Sequence, residues 1–311
     1  MPKTVVAVGY GGPEVLELQD VVLPHPGPDQ VLIDVRAAGT NPVDYKLYSG
    51  DMGDDPDALP MPIGREVSGV ITAAAPDTAG FTGPLAVGDE VLATNLRGGY
   101  SEQVIVDAAQ AGHKPPNISF EQAAGLLLAG GTAWHLLVAT QLTAGDTVLI
   151  HGAAGGVGLL AVQLAVARGA TVIGTAGRGQ HDMLRRYGAE PVEYGPGLAD
   201  RVRAIGPVNV AWDLVGGDEA LDTSVELVAD RGRIATIAGF GRAAELGIAA
   251  LAGFNKEARE IRDASRPELL KLVAEGKLEV VVDKVFALEE AAEAHRYLRG
   301  GHAHGKVVLV P

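Results

Sequence analysis

The stretch HGAAGGVGLL, residues 151–160, places four glycines within a short turn between two apolar segments. Gly152, Gly155 and Gly158 give the spacing G-x-x-G-x-x-G, whereas dinucleotide-binding loops normally read G-x-G-x-x-G. The pattern alone would also suit a tight turn. A strand, TVLIH, precedes it and a long apolar helix follows it, and unpaired N–H groups at a helix N-terminus attract anions. The context therefore predicts a pyrophosphate site.

Each glycine of this loop has a separate predicted task. Gly152 allows the tight turn off the strand, and Gly155 and Gly156 let the backbone approach a pyrophosphate. Gly158 allows the helix to lie close to the sheet.

The end of the next predicted strand indicates which nicotinamide cofactor binds. NAD enzymes normally carry Asp or Glu there to bind the ribose 2′-hydroxyl. This chain reads VIGTAGRGQ, with Gly177 and Arg178 and no acid. A guanidinium suits a 2′-phosphate, although an arginine in a turn is often only a surface residue. We therefore predict NADPH as the cofactor.

Composition limits the other partners and chemistries. The chain has 311 residues, of which 47% are hydrophobic and 21% charged, and a formal net charge of -14. We therefore expect no nucleic acid or membrane partner. The chain contains no cysteine, which excludes disulfides, cysteine nucleophiles and cysteine-based zinc sites. A cytoplasmic location is expected.

The chain has two regions with different sequence patterns. Residues 1–118 hold short β-rich runs between glycines and prolines, which indicates an antiparallel, barrel-like region. From residue 119 strands alternate with helices, and the strands are almost entirely apolar, which predicts a parallel sheet covered on both faces. AAGLLLAGGTAWHLLVAT is interrupted by glycines and is interpreted as a buried helix pair or a broken helix. The predicted fold class is α/β.

Several blocks in the same order resemble one family. The sequence resembles the zinc-independent quinone oxidoreductases of the medium-chain dehydrogenase/reductase superfamily. The blocks are AAGTNPVDYKLYSG (37–50), GREVSGVI (64–71), VGDEV (87–91), GGYSEQVIV (98–106), GGTAWHLL (130–137), VLIHGAAGGVG (148–158) and HGKVVLV (304–310).

The resemblance implies a particular domain arrangement. A Rossmann-type, doubly wound parallel sheet is expected over 119–261. A GroES-like β-barrel catalytic domain is expected over 1–118 and 262–311, with substrate in a cleft between the two. Zinc-dependent relatives carry Cys near the position of Thr40 and His near that of Arg65. The Thr and Arg of this chain cannot form a nitrogen/thiolate zinc site. No metal is therefore expected.

The catalytic candidates lie in TNPVDYKLY. By resemblance, Asn41 lies near the nicotinamide and could donate to an acceptor carbonyl, whereas TNP alone favours a turn former. Lys46 could stabilise an enolate or hydroquinone anion, and Tyr48 could donate a proton. Both could equally be structural, with water as the proton source.

The resemblance also implies a set of residues that bind the cofactor. Thr132 is expected at the nicotinamide end and Lys306 has no defined role. The pyrophosphate residues are Ala154, Gly155, Gly156, Val157 and Gly158; the adenosine residues are Gly177, Arg178 and Tyr194; the carboxamide residues are Ala238, Gly239 and Phe240.

A few further polar residues have simpler interpretations. His135 and His151 are expected to pack in the interior, each with a hydrogen bond. Asp213 would touch the cofactor or cap a helix. His302 and His304 lack a third ligand nearby and are interpreted as a solvated loop.

These observations favour an NADPH-dependent reductase of quinones or conjugated carbonyls such as enones. The alternatives are an enoyl-thioester reductase in a biosynthetic pathway and a non-catalytic NADPH-binding protein. By resemblance, the last Rossmann strand, around LGIAALAG, would pair with its copy in a homodimer.

Overall fold

A computed structural model of the chain describes residues 1–253, 255–301 and 303–311. Contacts divide it into two units. Unit 1 comprises Met1–Leu128 and Val280–Pro311, and unit 2 comprises Ala129–Glu279. Unit 1 is thus formed by both chain ends. His302 lies outside the described residues.

Short strands dominate unit 1, and longer helices alternate with strands in unit 2. In chain order the strands are β1 (Lys3–Ala7), β2 (Leu16–Asp20), β3 (Gln30–Gly39), β4 (Met61–Pro62), β5 (Glu66–Ala74), β6 (Ala79–Gly80), β7 (Gly83–Pro84), β8 (Glu90–Thr94), β9 (Gln103–Asp107), β10 (Ala111–His113), β11 (Thr147–His151), β12 (Thr171–Thr175), β13 (Ala189–Val192), β14 (Val210–Asp213), β15 (Ile234–Thr236), β16 (Ala249–Ala250), β17 (Val282–Ala287) and β18 (Lys306–Val310).

The α-helices of the described ranges include two short helices in the N-terminal segment and one near the C-terminus. In chain order they are α1 (Pro42–Tyr48), α2 (Phe120–Ala124), α3 (Leu127–Ala139), α4 (Gly156–Ala167), α5 (His181–Arg186), α6 (Leu198–Ile205), α7 (Asp218–Leu227), α8 (Phe240–Leu246), α9 (Lys256–Ala274) and α10 (Ala291–Arg299).

Unit 1 is built on a seven-stranded sheet in which β3 is the central strand. Its order is β10-β8-β5-β3-β18-β17, and β9 also pairs with β3. All pairs are antiparallel except β17 with β18. Val31, Ile33 and Val35 alternate with less buried residues along β3 and enter one core with Val307 and Leu309 of β18. Alternation with period two is the pattern that buries one face of a strand.

Unit 2 contains a six-stranded sheet of order β13-β12-β11-β14-β15-β16, and every pair in it is parallel. Val148, Leu149 and Ile150 are all completely buried, as expected for a strand covered on both faces. The order 3-2-1-4-5-6 is that of a dinucleotide-binding doubly wound sheet. The predicted α/β class and parallel sheet are confirmed.

The first boundary between the units lies about ten residues beyond the predicted one at 118. The side chain of Ser68 on β5 donates a hydrogen bond to the Phe120 carbonyl, 2.5 Å away. Glu66 on the same strand accepts from the Leu128 N–H at 3.0 Å. These bonds hold α2 and the residues after it on the unit 1 sheet.

The second boundary follows Glu279, not residue 261 as predicted. One helix, α9, runs through Pro267 and carries the chain past the predicted boundary. Asn255 caps its N-terminus with a 2.7 Å bond to the Ala258 N–H. Gln163 of α4 bonds both the N–H and the carbonyl of Glu279, at 2.8 and 2.9 Å. The chain therefore stays in unit 2 until that residue.

The apolar stretch near residue 130 forms two helices, as one of its two interpretations predicted. α2 ends at the Gly125 C-cap, and α3 continues through Gly130 and Gly131. Within the described ranges, no helix has both the length and the apolar character needed to cross a bilayer.

Candidate active site

The glycine loop connects β11 to α4 in a tight turn. Gly152 has a φ of +74°, in the left-handed region that favours glycine. Its carbonyl accepts from the Gly155 N–H at 3.1 Å. A Cβ on Gly158 would lie only 2.2 Å from that carbonyl oxygen. Close packing of helix against turn therefore requires glycine at 158.

The first turn of α4 points its N–H groups away from the helix. Gly155 is the N-cap and has no side chain to cap the helix. The first bond between the helix and this cap is donated by the Leu159 N–H to the Gly155 carbonyl, at 3.0 Å. The N–H groups of Gly156, Val157 and Gly158 precede it and have no partner within the helix. Together with the dipole of a twelve-residue helix, they fit a diphosphate.

The loop is tied to the neighbouring strand β12 through Thr175. The Thr175 hydroxyl accepts from the Gly152 N–H, and its carbonyl accepts from the Ala153 N–H, each at 3.1 Å. The loop conformation, including the position of Ala154, is therefore held from both β11 and β12.

Gly177, Arg178 and Tyr194 come together at the ends of β12 and β13. A Cβ on Gly177 would lie 3.9 Å from the Tyr194 hydroxyl, and Tyr194 is 60% exposed. The Arg178 guanidinium is exposed and donates to Glu193 at 2.8 Å. Glu193 was not among the predicted residues, since it follows the third strand of the sheet and not the second.

A single arginine orders the loop that carries Tyr194. The Arg201 guanidinium donates to the carbonyls of Glu193, Gly195 and Pro196, with distances between 2.7 and 3.0 Å. Five donors in a planar fork can bind several carbonyls at once. Tyr194 is thereby presented on a well-defined turn.

Asp213 organises the loops that follow β14 and β15. One carboxylate oxygen accepts from the N–H groups of Val215 and Gly216, and the other accepts from the Thr236 hydroxyl at 2.6 Å. Asp213 thus caps the turn after β14 and not a helix as predicted, since the N-cap of α7 is Gly217. The Thr236 oxygen accepts in turn from two of the predicted carboxamide residues, Ala238 at 3.1 Å and Gly239 at 2.7 Å.

The bonds to Thr236 limit which backbone groups of the residues predicted to bind the carboxamide are available to a ligand. The N–H groups of Ala238 and Gly239 are engaged with Thr236. Phe240 begins α8, so its N–H has no partner within that helix. The Ala238 carbonyl and the Phe240 N–H are therefore the pair suited to an amide.

Thr132 is buried on α3, beside a basic residue of α9. A Cβ on the adjacent Gly131 would lie 3.3 Å from the Arg262 Cβ, so the arginine stem packs against α3. Burial lowers the pKa of Arg262.

Burial also lowers the pKa of His135 to about 4, and its Nδ1 has no hydrogen-bond partner in the described chain. The hydrogen bond predicted for His135 is therefore not formed through Nδ1.

His151 fulfils the prediction made for it. Its Nε2 lies 3.1 Å from the Ser224 hydroxyl, and its ring is buried beneath the glycine loop at the end of β11. Burial lowers its pKa to about 4, so the ring is neutral at pH 7.

In unit 1, Asn41 lies at the N-cap of α1 within a buried polar cluster. Its side-chain oxygen accepts from Lys306 at 2.7 Å, and its side-chain nitrogen donates to Glu66 at 2.9 Å. A second N–H contact, to the Gly39 carbonyl, is 3.5 Å long and therefore weak. Lys306 and Glu66 fix the orientation of the amide.

The structure corrects the assignment of Lys306 as a cofactor-binding residue. Its ammonium is buried and donates to Thr40 at 3.0 Å, Asn41 at 2.7 Å and Glu66 at 3.0 Å. An ammonium has three N–H donors, and these contacts use all three. Lys306 positions Asn41.

Tyr48 is also corrected, because its hydroxyl is enclosed. The side chain is fully buried, and the hydroxyl lies 2.6 Å from His295 Nδ1. Burial raises the pKa of Tyr48 above its ordinary value. These properties fit a structural residue of α1 and not a proton donor to substrate.

Lys46 remains a candidate on the same helix. It is partly buried, and no ion pair of its ammonium occurs in the part of the chain that the structure describes.

Asp44 is a functional candidate that the sequence analysis missed. One carboxylate oxygen, Oδ2, accepts from the Asn41 N–H at 2.8 Å and from the Tyr100 hydroxyl at 2.9 Å. The other, Oδ1, is buried without a partner among the described residues. Desolvation raises the pKa of Asp44 to about 7, against the lowering effect of its hydrogen bonds. The N-cap box Asn-x-x-Asp was the available signal.

The donors near Thr40 and Arg65 do not fit a zinc ion. The Thr40 hydroxyl donates to the Val307 carbonyl at 2.8 Å, and a guanidinium cannot act as a ligand. Across the described ranges, no group of three acidic or histidine side chains is arranged to hold a metal.

Two family models match the chain. A model described as the alcohol dehydrogenase GroES-like domain matches residues 27–163, and one described as zinc-binding dehydrogenase matches residues 182–309. The first confirms the GroES-like domain. The second carries a zinc-binding description that the donors near Thr40 and Arg65 do not fit.

Individual relatives cover the whole chain. A quinone oxidoreductase of Pseudomonas aeruginosa is 36% identical over 335 residues, which cover 100% of both chains. A chloroplastic NADPH-dependent alkenal/one oxidoreductase of Arabidopsis thaliana is 32% identical, over 99% of this chain and 79% of its own. The crystal structure of the Escherichia coli quinone oxidoreductase complexed with NADPH superposes with a TM-score of 0.85 at 28% identity, over 99% of this chain and 100% of the other.

Full-length identity, the order of the parallel strands and the shape of the glycine loop agree with one another. The chain therefore belongs to the quinone oxidoreductases of the medium-chain dehydrogenase/reductase superfamily.

Proposed function

We propose that this protein is an NADPH-dependent reductase that transfers hydride to a quinone or a conjugated carbonyl without zinc. The observation that carries the proposal is the glycine loop, where three consecutive N–H groups of α4 lie at the carboxyl edge of a parallel sheet. Ligands of doubly wound sheets bind at that edge. The names of the quinone and alkenal/one oxidoreductase relatives support the two acceptor classes.

Residues of unit 2 would hold the cofactor along this edge. The N–H groups of Gly156, Val157 and Gly158 would bind the diphosphate, and the turn at Gly177, Arg178 and Tyr194 would bind the adenosine end. The Ala238 carbonyl and the Phe240 N–H would bind the carboxamide. When bound, NADPH supplies a hydride.

A phosphorylated ribose fits the turn after β12. The strand ends at Thr175 and no carboxylate follows it directly, so the usual partner of a ribose 2′-hydroxyl is missing there. The Arg178 guanidinium is 82% exposed and can exchange Glu193 for a phosphate. The complex of the Escherichia coli relative with NADPH supports this choice.

Asn41 is the proposed donor to the acceptor oxygen. The Lys306 ammonium donates to the amide oxygen of Asn41, so the amide nitrogen points away from Lys306. Of the two N–H groups on that nitrogen, only one makes a short hydrogen bond, to Glu66. The other N–H would stabilise the oxygen as it becomes negative. Lys46 would add positive charge to the same anion.

The experiment compares two glycine-to-alanine variants. Gly155 has a φ of -78°, so alanine is tolerated, but its methyl group would lie where the diphosphate approaches. We expect Gly155→Ala to raise the KM for NADPH at least roughly tenfold. Gly206→Ala is the control, because a Cβ there meets nothing within 4 Å and the residue lies in the turn after α6, outside the predicted cofactor residues.

Turnover is measured with a benzoquinone, an enone and an enoyl thioester. Activity on the first two supports the proposal, and preference for the thioester would favour enoyl-thioester reduction. Tight NADPH binding with no turnover on any of them would contradict the proposed enzyme.

We also propose a homodimer formed through β16. This strand lies at the edge of the unit 2 sheet and has only two residues, Ala249–Ala250. Edge strands are the usual sites of pairing with a second chain. Light scattering at micromolar concentration tests the proposal, and a monomer would contradict it.

A further inference from the structure

Four buried side chains of unit 1 form a continuous hydrogen-bonded chain that the proposed function does not use. Tyr48 lies 2.6 Å from His295 Nδ1, and His295 Nε2 lies 3.0 Å from the Tyr100 hydroxyl. The Tyr100 hydroxyl donates to Asp44 at 2.9 Å. All four side chains are completely buried. We name them the Asp44 relay.

The hydrogen atoms of the relay all point toward Asp44. Because Tyr100 gives its only proton to Asp44, its oxygen accepts from the N–H of His295 Nε2. His295 Nδ1 is then bare and accepts from Tyr48. Burial lowers the pKa of His295 to about 4, so the ring stays neutral, as this direction requires.

Asp44 also contacts Asn41 directly, so the relay ends at the proposed active site. The Asp44 carboxylate accepts from the Asn41 N–H at 2.8 Å, and the Asn41 side chain contacts both Glu66 and Lys306. Glu66 and Lys306 are an ion pair at 3.0 Å and cancel each other's charge. Within Asn41, Glu66, Lys306 and Asp44, the net charge is therefore set by Asp44, and Arg65 adds a fixed positive charge nearby.

The surroundings of Asp44 favour a retained proton. Desolvation raises the pKa of Asp44 most and Glu66 raises it further, whereas the hydrogen bond from Tyr100 and the charge of Lys306 lower it. Tyr48 and Arg65 are the other titratable groups that interact with its charge. Its unpartnered, buried Oδ1 has no donor among the described residues to stabilise a negative charge. Oδ2 already accepts two hydrogen bonds, so the proton resides on Oδ1.

We propose that Asp44 is a positioning residue for Asn41 and that the proton on its buried carboxyl sets the pH range in which the acceptor is reduced. This inference rests on the proposed function. Hydride transfer makes the acceptor oxygen negative beside Asn41. A neutral Asp44 leaves the cluster uncharged, whereas an ionised Asp44 adds a negative charge that opposes the transfer.

The test is the pH profile of kcat. For the natural protein, kcat falls about tenfold between roughly pH 6 and pH 8, as a single group with a midpoint near 7 loses its proton. Asp44→Asn keeps an acceptor for the Asn41 N–H but cannot titrate, so its profile is flat. Asp44→Ala also gives a flat profile, at a lower rate, because Asn41 loses its partner.

The control is another aspartate of unit 1 that accepts from a tyrosine. Asp283 accepts from the Tyr297 hydroxyl at 2.8 Å and lies outside the cluster. Asp283→Asn keeps the natural profile. An Asp44→Asn profile that still falls near pH 7 would overturn the inference and leave the proposed function intact.

A second measurement does not depend on turnover. In protein labelled with ¹⁵N-histidine, the His295 ring shows a protonated Nε2 and a bare Nδ1. Its signals shift with a midpoint near 7 while the ring stays neutral, and the shift disappears in Asp44→Asn. Absence of that shift in the natural protein would overturn the inference even where the enzyme is active.

Discussion

Replacing Lys306 with methionine tests the buried cluster most directly. Methionine keeps an unbranched side chain but removes the ammonium that contacts Glu66, Asn41 and Thr40. The side chains of Lys306 and Glu66 are only 4% and 2% exposed. The Glu66 carboxylate would keep its bonds to the N–H groups of Asn41 and Leu128 but would have no cation beside it.

The expected loss is large because water cannot replace the ammonium. Removing one partner of a buried ion pair costs about 3–5 kcal/mol. At about 2–4 °C per kcal/mol for a unit of this size, the melting temperature of unit 1 falls by between roughly 6 and 20 °C. Glu66→Gln in the same background removes the stranded charge and keeps an acceptor, so the double variant recovers most of the loss.

Denaturant unfolding of the four proteins in this double-mutant cycle gives the coupling energy. Arg36→Met is the control, since its ion pair with Asp34 is exposed and is expected to contribute at most about 0.5 kcal/mol. A Lys306→Met loss below about 1 kcal/mol, or no recovery in the double variant, would refute the reasoning.

Three further outcomes are expected. Arg178→Ala raises the KM for NADPH roughly tenfold and leaves the KM for NADH unchanged. Initial rates measured with each cofactor test this, and equal effects on the two KM values would contradict a 2′-phosphate contact. Thr236→Ala frees the N–H groups of Ala238 and Gly239 and weakens NADPH binding by fluorescence titration, with little change in quinone affinity. Because the folded pKa of Asp44 lies near 7 and above its ordinary 3.8, the folded state binds the extra proton between those values. Stability therefore falls as pH rises from about 4 to about 7, and Asp44→Asn removes that part of the slope in melts across this range.

The positions of the unit 2 strands could be predicted because each is a local pattern. TVLIH and TVIGT are short apolar runs, and they form β11 and β12 as expected. The last strand was predicted around LGIAALAG, but α8 extends through Leu246 and β16 is confined to two residues. Helix propensity at its start and a Gly247 cap with positive φ shorten that strand.

The boundaries between the units were harder to predict. Pro267 normally marks a helix start, yet α9 continues through it because Leu269 and Val273 beyond it and Ala258 before it are all buried. Burial of a helix face depends on what packs against it, and that partner is not visible in the local sequence.

The sequence by itself determined the α/β class, the glycine-rich turn and the family, because glycine spacing and hydrophobic periodicity are properties of consecutive residues. Only the tertiary structure decided the roles of Lys306, Tyr48 and Asp44. Lys306 meets Glu66 across 240 positions of the chain, and Tyr48 meets His295 across 247. A charge or hydroxyl acquires its role from the burial and the partners that folding brings to it, and contacts at such separation leave no periodic pattern to read.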